Sequence, residues 1–267
     1  MSKLSKNDTF VDLSDYGRPI AVAAASKLKQ TSATPVQVTL AFGVAGLIAA
    51  YSILTGYYIT AGIFLILKSI IDAMDGELAR MKKSPSYTGR YLDSIFDIIL
   101  NFIIIMTIWA VSSSPLWAAC LAFFCIQLQG TLYNFYYVIL RHQSSEGDRT
   151  SKIFETSVPE AYPQERQITV NILFKLYRLF YSTFDKFIYA LDRKAPEAGS
   201  FPKWFMSMLS IYGLGFQLLI IAVLLASGFI DLIIPFFIGF SAFIFLFIAI
   251  RRLFLSGQSQ KRMMYND

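Results

Sequence analysis

Apolar residues run in six long blocks separated by polar connections: Val36–Gly56, Tyr58–Met74, Leu92–Ser112, Leu116–Leu140, Phe205–Ala226 and Leu232–Ile250. Each block approaches or exceeds the roughly 20 residues that an α-helix needs to cross the hydrocarbon core of a bilayer. The pattern predicts six membrane-spanning helices. Pro35 stands at the first helical position of the first span, where its missing N–H costs nothing. Ahead of it, Ile20, Val22 and Leu28 alternate with Lys27 and Lys29, which predicts a helix lying on the membrane surface. The connection Arg141–Lys203 is much longer than the others. Within it, Leu176, Leu179, Phe180, Phe184 and Phe187 recur at helical spacing and predict an amphipathic helix over Leu173–Leu191. The expected organisation is all-α: an N-terminal arm (1–34), a six-span domain (35–255) that contains the 141–203 insertion, and a short tail (256–267).

Composition agrees with lipid as the main solvent. Hydrophobic residues make up 55% and charged residues 16% of the chain, too few charges to cover a soluble domain of this apolar content. The formal charge of +6 would admit a nucleic-acid reading, but its placement excludes it. The connections Leu54–Tyr57, Ser112–Pro115 and Ser227–Asp231 carry no Lys or Arg. Of the 24 basic residues only Lys68 falls inside a span, and the rest lie in the arm, the two other connections or the tail. The positive-inside rule then puts both termini in the cytoplasm, with the basic excess facing anionic lipid headgroups. Cys120 and Cys125 lie in an apolar run with no metal or redox spacing and read as packing residues. His142 is the sole histidine, which argues against histidine-based metal sites or triads.

The chemistry concentrates between spans two and three. Asp72 and Asp75 are three residues apart, and Asp93 and Asp97 four apart, so each pair shares a helix face. The connection between them is short, so the two helices are antiparallel neighbours whose acidic faces can meet. Ionisable groups next to Ile70, Ile71, Ile98 and Ile99, at the membrane boundary, are costly and usually functional. Any single Asp could cap a helix or pair with Lys68, Arg80 or Arg90. Four facing one another repel unless protonated or bridged by cations. Hard divalent ions with oxygen ligands, Mg2+ or Mn2+, fit best, and four carboxylates carry enough charge for two. Gly76, Ala79 and Gly89 let a backbone or a flat ligand approach closely.

The string D-x2-D-G-x2-A-R-x8-G-x3-D-x3-D, running from Asp72 to Asp97, resembles the full signature of the CDP-alcohol phosphotransferases. The six-span layout is similar to that family as well. The resemblance implies that Asp72, Asp75 and Asp93 bind the metals and that Asp97 is both ligand and general base. It implies that Gly76, Ala79 and Arg80 hold the CDP part, with Ser86 near its phosphates. The family often has Pro-Asn-x-x-Thr where span one begins. Here Pro35-Val36-Gln37-Val38-Thr39 keeps Pro and Thr and leaves Gln37 as the substitute nucleotide contact.

The activity so implied is transfer of a phospho-alcohol group from a CDP-linked donor to a hydroxyl acceptor, with release of CMP. Absent a Ser, Cys or His nucleophile, a direct in-line transfer is expected. CDP-diacylglycerol is the favoured donor; a soluble CDP-aminoalcohol donating to a lipid alcohol is the alternative. The acceptor is expected near the end of span four, where Arg141 stands at the membrane boundary and Arg149 and Lys152 follow. Membrane lipids and a second copy of the chain are the remaining candidate partners. A cation transporter is the competing class; against it, the acids sit near one face and the later spans hold almost no polar relay.

Overall fold

The computed structural model describes residues 4, 8–143, 155–198 and 201–255. Among them there are helices and no strand. A 3-10 turn at Leu13–Asp15 leads into α1 (Arg18–Leu28), followed by α2 (Pro35–Leu54), α3 (Tyr58–Lys82), α4 (Tyr87–Val111) and α5 (Leu116–Gln143). The long connection contains α6 (Gln167–Leu191). Then come α7 (Lys203–Leu209), α8 (Leu214–Ala226), α9 (Ile230–Phe240), α10 (Ala242–Ile250) and a π-helical turn at Arg251–Leu255. The expected tail (256–267), together with Arg149 and Lys152, lies outside the described residues.

Helix α2 begins at Pro35 because Thr34 closes a capping box. Its hydroxyl accepts from the Gln37 N–H at 3.3 Å, and the Gln37 side chain accepts from the Thr34 N–H at 2.9 Å. The largest departure from the sequence pattern is at the next connection. Hydrophobicity ends at Met74 and resumes at Leu92, yet α3 continues to Lys82 and α4 starts at Tyr87. The polarity change marks where the helices meet a polar cavity, not where they stop. Asp72, Asp75 and Asp93 therefore sit inside regular helix, with fixed directions.

The two C-terminal blocks are broken as well. Residues Lys203–Tyr212 and Leu214–Ala226 meet at a 51° bend. Further on, Pro235 lies inside α9, and the last span lapses at Ser241 between α9 and α10. The Phe237 carbonyl freed there accepts from Gln129 Nε2 at 3.0 Å and from Ser241 Oγ at 3.0 Å.

Among the described residues, four helical stretches are long and apolar enough to cross a membrane: Pro35–Leu54, Tyr87–Val111, Leu116–Gln143 and Ile230–Leu253. The bent α7–α8 pair is a fifth if its two halves count as one span. Helix α3 is as long as its neighbours, but Lys68, Asp72, Asp75, Glu77 and Arg80 lower its apolarity.

One core joins α2, α3, α4, α5, α8 and α9 around Phe42, Ile53, Leu65, Ile104, Leu218 and Phe237. A second joins α5, α6, α7 and α10 around Leu132, Tyr136, Ile188, Phe205 and Phe247. Outward-facing Leu40, Val44, Leu47, Ile59 and Ile63 stay exposed, an apolar exterior suited to lipid. Helices α3 and α8 approach so closely that a Cβ on Gly62 would stand 3.1 Å from the Ala222 carbonyl. Helix α1 packs along α3 through Ala21 and Ala25, and α6 lies across α4 and α5. The end of α6 is fixed by Asp192, which accepts from Arg251 Nε at 2.7 Å and from the Tyr136 hydroxyl at 2.6 Å, all three buried.

Candidate active site

Where α3 ends and α4 begins, the bundle opens into a cavity of about 600 Å³. Three of the four predicted aspartates, Asp72, Asp75 and Asp93, line it, and Asp97 lies behind them. Asp72, Asp93 and Asp97 offer carboxylate oxygens that all lie within 4.8 Å of one another. Asp93 Oδ1 is buried and has no hydrogen-bond partner among the described residues. An orphaned carboxylate oxygen beside two further carboxylates is the arrangement that a hard divalent cation completes, so the donor set fits Mg2+ or Mn2+.

Asp75 also lines the cavity, but it stands apart from that trio and accepts the Thr39 hydroxyl. The Thr of the Pro35–Thr39 segment thus reaches the acidic cluster. Gln37 does not: it is exposed and its side chain is spent on the α2 cap. Asp97, one turn deeper on α4, accepts from the Lys68 ammonium. Lys68 is wholly buried, with its ammonium 5.0 Å from the centre of the Phe42 ring. Among the described residues, that pairing, open as an alternative in the sequence, is realised for Asp97 alone of the four. Arg80 and Arg90 turn instead to Glu77 and Glu155.

Of the residues expected around CDP, Gly76, Ala79, Arg80 and Ser86 share the cavity wall, as does Gly89, and Gln37 does not. A Cβ added to Gly76 would meet nothing closer than the Arg80 guanidinium at 3.5 Å. Packing therefore leaves that position open toward the cavity. Arg80 is held by Glu77 at 2.7 Å, while its Nε is buried without a partner among the described residues. Ser86 caps α4, accepting from the Gly89 N–H at 2.8 Å. Its own hydroxyl donates to Glu165 at 2.8 Å. Arg141 is buried at the end of α5, lines the cavity and lies 5.9 Å from the Tyr137 ring centre.

Several wall residues carry no signal in the sequence. Asp12, Ser14, Asp15 and Arg18, from the arm, face the cavity beside Tyr133, Asn134 and Tyr137 of α5. The Tyr133 hydroxyl donates to Asp12, and Arg18 pairs with both Asp15 and Glu77. The arm fits because of glycine: a Cβ on Gly215 would fall 2.0 Å from the Ser14 carbonyl oxygen, and one on Gly213 2.2 Å from Ser14 Oγ. A piece of the long connection closes another side. Glu165 accepts from the N–H groups of Thr88 at 2.6 Å and Tyr87 at 3.1 Å, and Glu155 accepts from Arg90 and from the Tyr91 hydroxyl. Tyr162 stacks on Tyr87 at 4.9 Å between ring centres. Burial alone would raise the Glu165 carboxyl, but hydrogen bonds from Thr88, Ser86 and Tyr87 outweigh it and hold it below the ordinary range. No periodicity links residues 12, 133 and 165, so only the fold reveals this wall.

Residues 32–157, which contain the whole Asp72–Asp97 constellation, match the family model described as CDP-alcohol phosphatidyltransferase. The segment is a CDP-alcohol phosphatidyltransferase domain. A curated relative from Thermococcus kodakarensis, the bifunctional IPC transferase and DIPP synthase, is 36% identical over 94 residues, 34% of this chain. The match spans 21% of that relative's length. The CDP-alcohol phosphatidyltransferase domain thus accounts for α2 to α5. The arm, α6 and the C-terminal helices lie outside the matched segment.

Proposed function

We propose that this chain is a membrane enzyme that moves a phosphatidyl group from CDP-diacylglycerol to a hydroxyl acceptor, releasing CMP. One observation carries the reading: Asp72 and Asp93, whose oxygens lie within 4.8 Å of those of Asp97, line a cavity whose wall also holds Arg80 and Arg141. Acids to hold cations, with guanidinium groups for phosphate oxygens, suit a diphosphate substrate. The relative's printed name, a transferase and a synthase, is in keeping.

Asp72, Asp75, Asp93 and Asp97 would hold two Mg2+ or Mn2+ ions. Such ions, when bound, neutralise a diphosphate and stabilise the departing phosphate. Asp97 takes the proton from the acceptor hydroxyl, and that oxygen attacks the phosphorus bonded to the donated alcohol. The bond from that phosphorus to the bridging oxygen breaks, and CMP leaves with the electron pair. Arg80 orients the phosphates, the open face of Gly76 and Ala79 admits the nucleotide, and Arg141 takes an anionic group of the acceptor. CDP-diacylglycerol fits because the cavity adjoins helices with apolar exteriors, where acyl chains can remain in lipid.

In this reading six spans cross the bilayer, α3 among them, while α1 lies at the interface. The termini and the cavity then face the cytoplasm. The test is CMP release by purified protein given CDP-diacylglycerol and candidate polar alcohols, with Mg2+, Mn2+ or excess chelator. CMP release that persists in chelator, or none from CDP-diacylglycerol beside turnover of a soluble CDP-alcohol, would reject the metal or the donor respectively. Thiol labelling of Ser114→Cys and Ser227→Cys from the cytoplasmic side alone would reject the orientation.

A further inference from the structure

Helix α3 ends on a residue in a conformation that side chains avoid. Lys83 has φ 51° and ψ 39°, and it is the only non-glycine residue with positive φ among the described residues. Its N–H reaches the carbonyls of Ala79 and Arg80, and the Ser84 N–H bonds the Ala79 carbonyl at 3.1 Å. This is the closing pattern in which glycine is the usual occupant, and a Cβ there costs about 1–2 kcal/mol.

Beyond those closing hydrogen bonds, no polar contact of the Lys83 side chain offsets that strain among the described residues. Lys83 is exposed, and among the described residues its ammonium makes no hydrogen bond or ion pair. Its neighbour Lys82 is different, donating to the Thr31 and Ala33 carbonyls at 2.7 Å each. Lys83 instead lines the cavity, together with Arg80, Ser86 and Arg90. Three other cations on that wall already face carboxylates: Arg18 with Asp15 and Glu77, Arg80 with Glu77, and Arg90 with Glu155. A lysine that served only as a topology signal would need no left-handed backbone. Strain retained at the edge of a ligand cavity points to ligand contact.

We propose that Lys83 is a donor-binding residue whose ammonium contacts a phosphate of the CDP-linked donor. The αL position turns the chain between Arg80 and Ser86, which line the cavity together with Lys83. The inference rests on the CDP-donor reading above and adds to it a cation outside the signature positions.

The test compares wild type, Lys83→Gly and Lys83→Arg in nanodiscs. Lys83→Gly should raise the donor KM and the Kd for CMP about tenfold, the size of one charge-assisted hydrogen bond. Its kcat and acceptor KM should stay within about twofold. Its thermal midpoint should be unchanged or higher, because glycine relieves the αL strain. Lys83→Arg should restore donor affinity while keeping the strain. Unchanged donor KM and CMP affinity in Lys83→Gly would overturn the proposal, as would a rise confined to the acceptor KM. A lower thermal midpoint with a parallel fall in kcat would also overturn it, showing a structural role. If wild type releases no CMP from any CDP donor, the functional reading itself fails. CMP calorimetry on the same variants still decides whether Lys83 holds a nucleotide phosphate.

Discussion

Replacing Lys68 by methionine tests how the acidic floor is kept intact inside an apolar bundle. Lys68 is wholly buried on α3, and its ammonium bridges to Asp97 on α4, whose side chain is 18% exposed. Asp72 and Asp93 have oxygens within 4.8 Å of those of Asp97, so without the ammonium three like charges face one another. Methionine keeps the length and most of the volume, so little cavity is created. Breaking one member of a buried pair costs about 3–5 kcal/mol, and the residual exposure of Asp97 favours the lower end. At about 2–4 °C per kcal/mol for a chain of this size, the thermal midpoint in chelator should fall by roughly 6–12 °C. Mg2+ should narrow the gap, because cations bound by the same carboxylates supply the missing positive charge. Lys68→Met combined with Asp97→Asn should recover part of the loss, since the uncompensated carboxylate is gone. Thermal unfolding of the purified protein, followed by tryptophan fluorescence with and without Mg2+, reads all of these. A Lys68→Met midpoint within about 2 °C of wild type in chelator would refute the reasoning. So would a gap that widens with Mg2+.

Asp97→Asn should lower kcat by about 10²–10⁴ while CMP binding, read by calorimetry, survives; near-normal turnover would remove Asp97 as the base. Arg141→Ala should raise the acceptor KM by about tenfold or more with the donor KM unchanged, provided the acceptor is anionic. Equal effects on both substrates would assign Arg141 to the diphosphate. The Glu165 contact has a pH signature of definite sign. Its carboxyl is held below the ordinary Glu value, so its contribution is complete above that value and is lost as pH falls through the lower, folded one. Hydrogen-exchange protection of the Tyr87 and Thr88 amides should therefore persist to about pH 4 and fall below it, and Glu165→Gln should flatten that dependence. Loss of protection already between pH 5 and 6 would contradict the assignment.

The acidic floor was legible because its geometry is local. Spacings of three and four on two helices joined by a short connection leave little freedom, and Asp72, Asp93 and Asp97 meet, while Asp75 turns to the Thr39 hydroxyl. Helix boundaries were less legible, for a physical reason. The hydrophobic pattern reports where the surroundings change from lipid to polar cavity, and α3 runs on through that change to Lys82. The breaks at Gly213 and Ser241 were hidden because apolar content continues across them. Gln37 reads in sequence as a nucleotide contact, but two residues after Pro35 it also sits at the third helical position behind Thr34, where a glutamine completes a capping box. Spacing alone could not separate those two roles.

The cavity needs more than the signature. Its floor lies in residues 32–157, but much of its wall comes from Asp12, Ser14, Arg18, Tyr162 and Gly215, all outside that segment. The arm and the C-terminal helices depend on one another there. Ser14 occupies the space that a side chain at 213 or 215 would fill, and the Leu13 N–H donates to Ser210 Oγ at 2.8 Å. The 51° bend between α7 and α8 falls at this same place. The bend, the two glycines and the polar turn at Leu13–Asp15 are therefore one device. It sets a polar wall against the acidic floor at the end of an otherwise apolar bundle.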